Sequence, residues 1–420
     1  MDKKRIIQVD EKVPLPMLLP LSIQHVFAMF GASVLVPILF QIDPGIVLFM
    51  NGFGTLLFIF LTKGKAPAYL GSSFAFLAPA GGVIAAQGFE YAQGGFVVVG
   101  LLGCLLAFLV WKFGTAWIDV ILPPAAMGPV VALIGLELAG NTITPGKTGA
   151  DLTSGPHIAV FAVTLGVAVF GSVLFRKFFA VIPLLIAMIC GYLTAVALNL
   201  VDFTPLAEAK LFTLPQFHLA KFDLNAILTI APVILVIATE HIGHQVVTGK
   251  IVGRDLIKDP GLHRSLLGDN LSTAISGFVG SVPTTTYGEN IGVMAVTGVY
   301  SVWVIGGAAV CSILLSFIGP VAALINSIPG AVIGGISFLL YGMIGTSGLR
   351  ILVDQKMDYG KSRNLAMTSV IFVTGLSGIA INLGATIQIT GMALAALVGM
   401  GMWLVFYLLD KLKLTNDRDA

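Results

Sequence analysis

The sequence predicts an all-α polytopic membrane protein of about fourteen transmembrane spans, and three observations predict it. The 420 residues are 57% hydrophobic and 10% charged, whereas soluble domains carry about 25% charged residues. Apolar runs long enough to cross a bilayer, roughly 20 residues each, recur along the whole chain between Gly, Pro and charged breaks. The Lys and Arg residues crowd onto alternate connections between those runs, as cytoplasmic loops do.

The elements follow in order. The polar, basic stretch up to Pro16 precedes an apolar run too long for the h-region of a signal peptide, so 15–42 reads as a first span that stays in the protein. Further spans are expected at 45–62, 66–88, 91–111, 116–140, 156–175, 179–201, 222–249, 263–281, 283–298, 299–326, 328–346, 364–382 and 391–409. The third and tenth are weak as helices, because each contains a polar, β-prone stretch. The longest connections, 141–155, 202–221, 250–262 and 347–363, are too short to hold a soluble domain. With the N-terminus inside, 20 of the 23 Lys and Arg lie on inner segments, and only Lys147, Lys210 and Lys221 lie on outer ones. Both termini are therefore expected in the cytoplasm. Cys104, Cys190 and Cys311 all sit in apolar runs without CxxC or metal spacing, which supports neither disulfides nor a zinc site.

Seven spans per half would turn the two halves over relative to each other, and the sequence carries traces of such a repeat. Gln24-His25 matches Glu240-His241. Ser72-Ser73-Phe74 matches Thr285-Thr286-Tyr287. Leu122-Pro123-x-Ala125-x-x-Gly128 matches Ile328-Pro329-x-Ala331-x-x-Gly334. The offsets of 216, 213 and 206 residues are all near half the chain. Inverted repeats with helices broken at mid-membrane are the pattern of secondary transporters.

Glu240 and Glu289 are the residues that point to chemistry. Each lies in a stretch that otherwise reads as membrane interior, where a charge costs about 2.5–3.5 kcal/mol, so each is a functional candidate by default. In Pro283-Thr-Thr-Thr-Tyr-Gly-Glu-Asn290, the proline interrupts the helix ladder and the Thr/Tyr run favours extended backbone. Gly288 permits close approach of a ligand, and Glu289 and Asn290 open a short helix with free N–H groups. Gly71-Ser-Ser-Phe-Ala-Phe76 reads the same way. Extended backbone in a bilayer must find partners, so the two segments are expected to pair as short antiparallel strands. Carboxylates at Glu240 and Glu289, backbone N–H groups, and aromatic faces at Phe74, Tyr287 and Tyr341 suit a planar heterocycle with alternating N–H and C=O groups. His244 lies one turn after Glu240 on the same helical face, and this acid–imidazole pair can take up and release a proton during transport.

The alternative readings are structural. Glu289 can cap its half-helix, and Phe74 and Tyr287 can pack the core. His25 and His241 are expected to hydrogen-bond neighbouring helices. Asp269 and Asn270 are assigned to hydrogen bonding within the core, and Glu137 is placed near the outer surface. Glu-His-x-x-His at 240–244 has the wrong order for the His-Glu-x-x-His zinc helix, so no metal is expected.

These residues resemble a known family. Glu289-Asn-Ile-Gly-Val-Met-Ala-Val-Thr-Gly298 is similar to the signature of the nucleobase–ascorbate transporters: Gln/Glu/Pro, Asn-x-Gly, four residues, Thr, then Arg/Lys/Gly. Gln24-His25 and Ala238-Thr-Glu-His-Ile-Gly-His244 resemble that family too, end to end and most closely its bacterial uracil-transporting group. The resemblance implies two inverted seven-span repeats, with a core domain at 15–113 and 222–326 and a gate domain at 114–221 and 327–410. It implies proton-coupled symport of uracil in a bacterial inner membrane, with no enzymatic activity, no cofactor beyond the coupling proton and no nucleic-acid partner. A homodimer through the gate domains, embedded in lipid, is also implied. By position, Glu240 and Glu289 would bind the substrate with Phe74 and Gly288 backbone, Tyr287 and Tyr341 would line the site, and His244 with Glu240 would couple the proton. Gln24, His25, Ser73, His241 and Asn290 would give polar support. The competing expectations are another cargo on the same fold, such as xanthine, thymine or a small anion, and a channel or intramembrane enzyme.

Overall fold

The computed structural model describes residues 6–118, 123–145, 149–383 and 387–415. Lys3, Lys4, Arg5, Leu122, Lys147 and Arg418, used above for orientation and the repeat, lie outside them. The helices in chain order begin with α1 (Leu15–Phe40), α2 (Pro44–Leu61), α3 (Leu77–Gln87), α4 (Phe89–Phe113), α5 (Pro124–Leu138), α6 (Gly155–Leu174) and α7 (Pro183–Ala197). After a single turn at Thr204–Ala207 come α8 (Leu224–Ile230), α9 (Val233–Val252), α10 (Leu262–Phe278), α11 (Gly288–Thr297) and α12 (Val302–Ser316). The last are α13 (Gly319–Asn326), α14 (Gly330–Asp354), α15 (Ser362–Leu376) and α16 (Gly391–Lys411). Among the described residues, eight helical segments are long and apolar enough to cross a membrane, and three more apolar helices are shorter.

Local chemistry sets the ends. Proline stands in the first turn of α2, α5, α6 and α7, where its missing N–H costs nothing. Asp43 caps α2 through the Gly45 N–H, and Asp223 caps α8 through Asn225 and Ala226. The expected span 222–249 is interrupted at Ala231-Pro232 into α8 and α9, and 299–326 is divided into α12 and α13. The expected span 364–382 ends early. α15 stops at Leu376, and β3 (Ala380–Leu383) pairs antiparallel with β4 (Ile387–Thr390). Apolar and polar residues alternate in Ile381-Asn-Leu and in Ile387-Gln-Ile-Thr, a two-residue period that suits a strand and not a helix.

The paired strands expected in spans three and ten are present. β1 (Leu70–Ser72) runs antiparallel to β2 (Thr284–Thr286), with Leu70 opposite Thr286 and Ser72 opposite Thr284. All six residues are buried.

Helix packing falls into two groups. α4 lies against α10, α2 against α10 and α12, and α1 against α12. Separately, α14 packs on α5 and α6, α6 on α7, and α15 and α16 on each other and on α5. Glycines permit the closest approaches. A Cβ at Gly100 would lie 2.5 Å from the Ala274 N and 2.7 Å from the Asn270 O. Residues 6–13 cross one end of the first group. Ile7 N donates to the Gly298 O at 2.9 Å, Tyr300 N to the Ile7 O at 2.8 Å, and Val302 N to the Val9 O at 2.9 Å. Asp10 pairs with Arg254.

Gly100→Val should force α4 from α10 and cost about 1–3 kcal/mol, read as a lower unfolding temperature of the purified protein. The Arg254 guanidinium holds the Asp10 carboxyl below the usual carboxylate value of 3.8. This pairing is complete above that value and lost as pH falls through the lowered one. Protease cleavage within residues 6–13 should therefore stay flat from neutral pH down to about pH 5 and rise on Arg254→Ala.

Candidate functional site

The site forms where the β1–β2 crossing meets α9. On the β1 side, Ser73 N donates to the Pro283 O at 2.8 Å, a one-turn 3-10 helix follows at Phe74–Phe76, and α3 begins at Leu77. On the β2 side, Tyr287 N donates to the Tyr69 O at 3.0 Å, and α11 begins at Gly288. The crossing is supported from α10: Thr273 Oγ1 donates to the Thr284 O at 2.7 Å, and the Ser272 and Thr284 hydroxyls are 2.7 Å apart. Tyr287 passes its ring over Gly71, where a Cβ would strike it, and its hydroxyl donates to the Ser72 O at 3.0 Å. Gly71 is therefore required by close approach.

α9 carries Glu240, His241 and His244, and α11 packs against it. His244 Nδ1 lies 3.0 Å from Thr286 Oγ1, and its Nε2 would be 3.6 Å from a Cβ at Gly288. The imidazole thus sits beside the N-terminus of α11, where unsatisfied N–H groups and the helix dipole favour negative charge. Glu240 and Glu289 are both half-buried, Glu240 on α9 one turn before His244 and Glu289 in the first turn of α11. The run Ser281–Tyr287 is wholly buried, yet Gly288 and Gly292 are exposed. A Cβ at Gly292 or at Gly243 of α9 would meet nothing within 4 Å. An open strip therefore runs along α11 from Gly288 to Gly292.

The other predicted residues distribute around this centre. His25 on α1 is buried, and Asn290 Nδ2 lies 3.1 Å from its Nδ1 and donates to its carbonyl at 3.3 Å. This contact ties α1 to the start of α11. Gln24 and Ser73 are buried. His241 faces away from the open strip, with Nδ1 3.3 Å from Asp269 Oδ2, and both side chains are nearly inaccessible. Phe74 is half-buried and Tyr341, on α14, is buried, both in one apolar cluster with Val236, Ile237 and Ala238 of α9. Two partners escaped the sequence reading. Thr286 meets His244 and Asp269 meets His241, and both contacts join residues distant in sequence, so no local spacing signals them.

A family profile described as "Permease family" matches residues 17–384. The chain belongs to this family, the nucleobase–ascorbate transporters. Members similar to it include the uracil permease of Escherichia coli strain K12, 54% identical over 98% of this chain and 96% of that one. The uracil permease of Paenibacillus larvae is 53% identical over 99% and 100%, and that of Bacillus subtilis 45% over 95% of each. Among solved structures, the murine Slc26a9 anion transporter superposes with a TM-score of 0.72 at 11% identity, covering 96% of this chain and 69% of that one. The transmembrane domain of the cyanobacterial bicarbonate transporter BicA gives 0.57 at 14%, covering 97% and 100%. At those identities the likeness is one of fold. The family consists of transporters, so the chain is a multi-pass membrane permease and not an enzyme.

Tyr287→Phe removes the donor to the buried Ser72 carbonyl and should cost about 1–3 kcal/mol. Thermal unfolding of the purified variant measures it, and an unchanged transition would show that the strand crossing does not need this bond.

Proposed function

We propose that this permease imports uracil with a proton across a bacterial cytoplasmic membrane. The observation that carries the reading is His244 of α9, one turn from Glu240, set against Thr286 and the N-terminus of α11 that Glu289 opens, in a chain about half identical to proteins named uracil permease along their length. Carboxylates accept from the ring N–H groups. Backbone N–H groups at Phe74 and Gly288, each opening a helical segment after a strand, donate to the ring carbonyls. Tyr287 and Tyr341 belong to the lining, and Gln24, His25, Ser73, His241 and Asn290 hold the surrounding backbone. A site built of hydrogen bonds rejects ligands lacking the matching groups, because its own polar atoms then stay unpaired.

The proposed cycle moves a core, 15–113 with 222–326, against a gate, 114–221 with 327–410, in fourteen spans made of two inverted repeats. The two helix-packing groups support this division. Two copies associate through their gates. His244 and Glu240 carry the coupling proton, with no other cofactor. One proton moving down about 100 mV and one pH unit supplies roughly 3.7 kcal/mol, enough for accumulation by a few hundredfold. The same fold with xanthine, thymine or an anion as cargo is the competing reading, and a competition panel separates them.

Uptake of radiolabelled uracil into vesicles should collapse on adding a protonophore, and uptake indifferent to it would refute coupling. Glu240→Ala and Glu289→Ala should each abolish uracil binding at the acid pair, since the ring N–H groups lose their acceptors there. His244→Leu should slow proton-driven uptake far more than equilibrium binding, and undiminished uptake would remove it from the coupling path.

A further inference from the structure

A cavity of about 220 Å³ lies away from the two acids, between the two helix-packing groups. One wall is α3 from Ala78 to Gln87, with Asn225 and Thr229 of α8. The opposite wall is Glu137 of α5 with Thr390, Met392 and Ala393 at the start of α16. Gly82 and Gln87 are exposed, and a Cβ at Gly82 would meet nothing within 4 Å. The cavity therefore follows α3 from its free end to Ala78, one turn beyond Phe74, at the other side of the β1–β2 crossing from the strip along α11. In the expected orientation, Gln87 is at the outer face.

Its lining is not that of a lipid-filled crevice. Glu137 is half-buried in an apolar helix, and its Oε2 accepts from the Met392 N–H at 3.0 Å, fastening the start of α16 to α5. The same carboxylate crowds Gly391, whose φ of 54° lets the backbone turn around it. Fastening one N–H uses one carboxylate oxygen and leaves the acid acceptor capacity toward the cavity. Amides at Gln87 and Asn225 and the hydroxyl of Thr390 supply donors around it, with one Gln87 N–H held by Asp223 at 3.2 Å and the Thr229 hydroxyl turned to the Asn225 carbonyl at 2.8 Å. The volume is below the roughly 300–1,000 Å³ of drug-sized sites and fits a single small ring. A carboxylate facing amide and hydroxyl donors repeats, more loosely, the chemistry of the acid pair.

We propose that this cavity is a second substrate subsite, a waiting station on the outer access path for the same planar, N–H-bearing heterocycle, with Glu137 as its acceptor. The proposal rests on the uracil reading above. It gives the ring a hydrogen-bonded intermediate position, so that it need not shed all its polar partners at once before reaching Glu240 and Glu289.

The test uses the full-length protein in right-side-out membranes, with Glu240→Ala and Glu289→Ala together disabling the acid pair. Gly82→Cys is added in that background, and an impermeant thiol reagent is applied from outside. Modification is read by mass spectrometry on the peptide carrying position 82, which keeps the native Cys104, Cys190 and Cys311 apart. Uracil at twice its dissociation constant for the subsite should slow modification about threefold. Adding Glu137→Gln, which keeps an oxygen for the Met392 N–H, should abolish that protection. Absence of protection in the acid-free background overturns the proposal, as does protection that survives Glu137→Gln. Ala86→Cys repeats the experiment should Gly82→Cys fail to fold. Uracil binding to the native protein, measured by thermal shift, tells the two readings apart: binding there without protection here removes the subsite alone.

Discussion

The pairing of Leu70–Ser72 with Thr284–Thr286 is the constraint on which the remaining architecture depends. Two helices break inside an apolar bundle, and each break exposes backbone donors and acceptors that no water can reach. Joining the breaks satisfies them mutually. The join also fixes everything placed on either side of it. Tyr287 can cross only because Gly71 has no side chain, and its hydroxyl closes on the Ser72 carbonyl. Thr286 holds His244, and Asn290 reaches back to His25. The start of α11 is thereby positioned against α9 by bonds from α1, β1 and α10. Polar groups in a low-dielectric interior are costly when unpaired and rigid when paired, so the same penalty that threatens the fold supplies a precisely oriented helix N-terminus.

How much of this the sequence discloses depends on whether the signal is local. The strand crossing was legible because Pro283, the Thr run and Gly288 announce it within eight residues, and the apolar context leaves extended backbone one escape. Helices α2 and α4 were placed within two residues by their proline, glycine and charge boundaries. The β3–β4 hairpin was missed because two short, Ile-rich segments next to an apolar helix look like its continuation. The Asp269–His241 and Thr286–His244 contacts were not legible, since they depend on how α9 rotates relative to α10 and β2. Glu137 was seen only as an acid near a surface. Its partner, the Met392 N–H, belongs to a helix that begins 254 residues later, and a backbone donor leaves no mark in a sequence.

The acids divide by environment. Glu240 and Glu289 sit where strands, hydroxyls and a helix N-terminus converge, while Asp269 is sealed behind them against His241. Three carboxylates in one apolar region repel each other through a low dielectric, and the Asp269–His241 contact gives one of them a companion. In the proposed cycle this leaves the half-buried pair to respond to substrate and proton, and makes the hidden pair a fixed part of the field they respond to.

The rigidity of the acid pair constrains how any such cycle can work. Glu240 and Glu289 ride on α9 and α11, and these helices are held together at two levels. At mid-length, Thr286 and His244 join the β1–β2 crossing to α9. At their far ends, residues 6–13 bridge them, with Ile7 and Tyr300 bonded beyond α11 and Asp10 paired to Arg254 just beyond α9. Two helices fixed at two separated levels cannot rock against each other without breaking one set of bonds. In the proposed cycle, exposure of the acids to alternate sides would therefore come from movement of the whole pair against α5, α14 and α16. That is the boundary along which the Glu137 cavity lies.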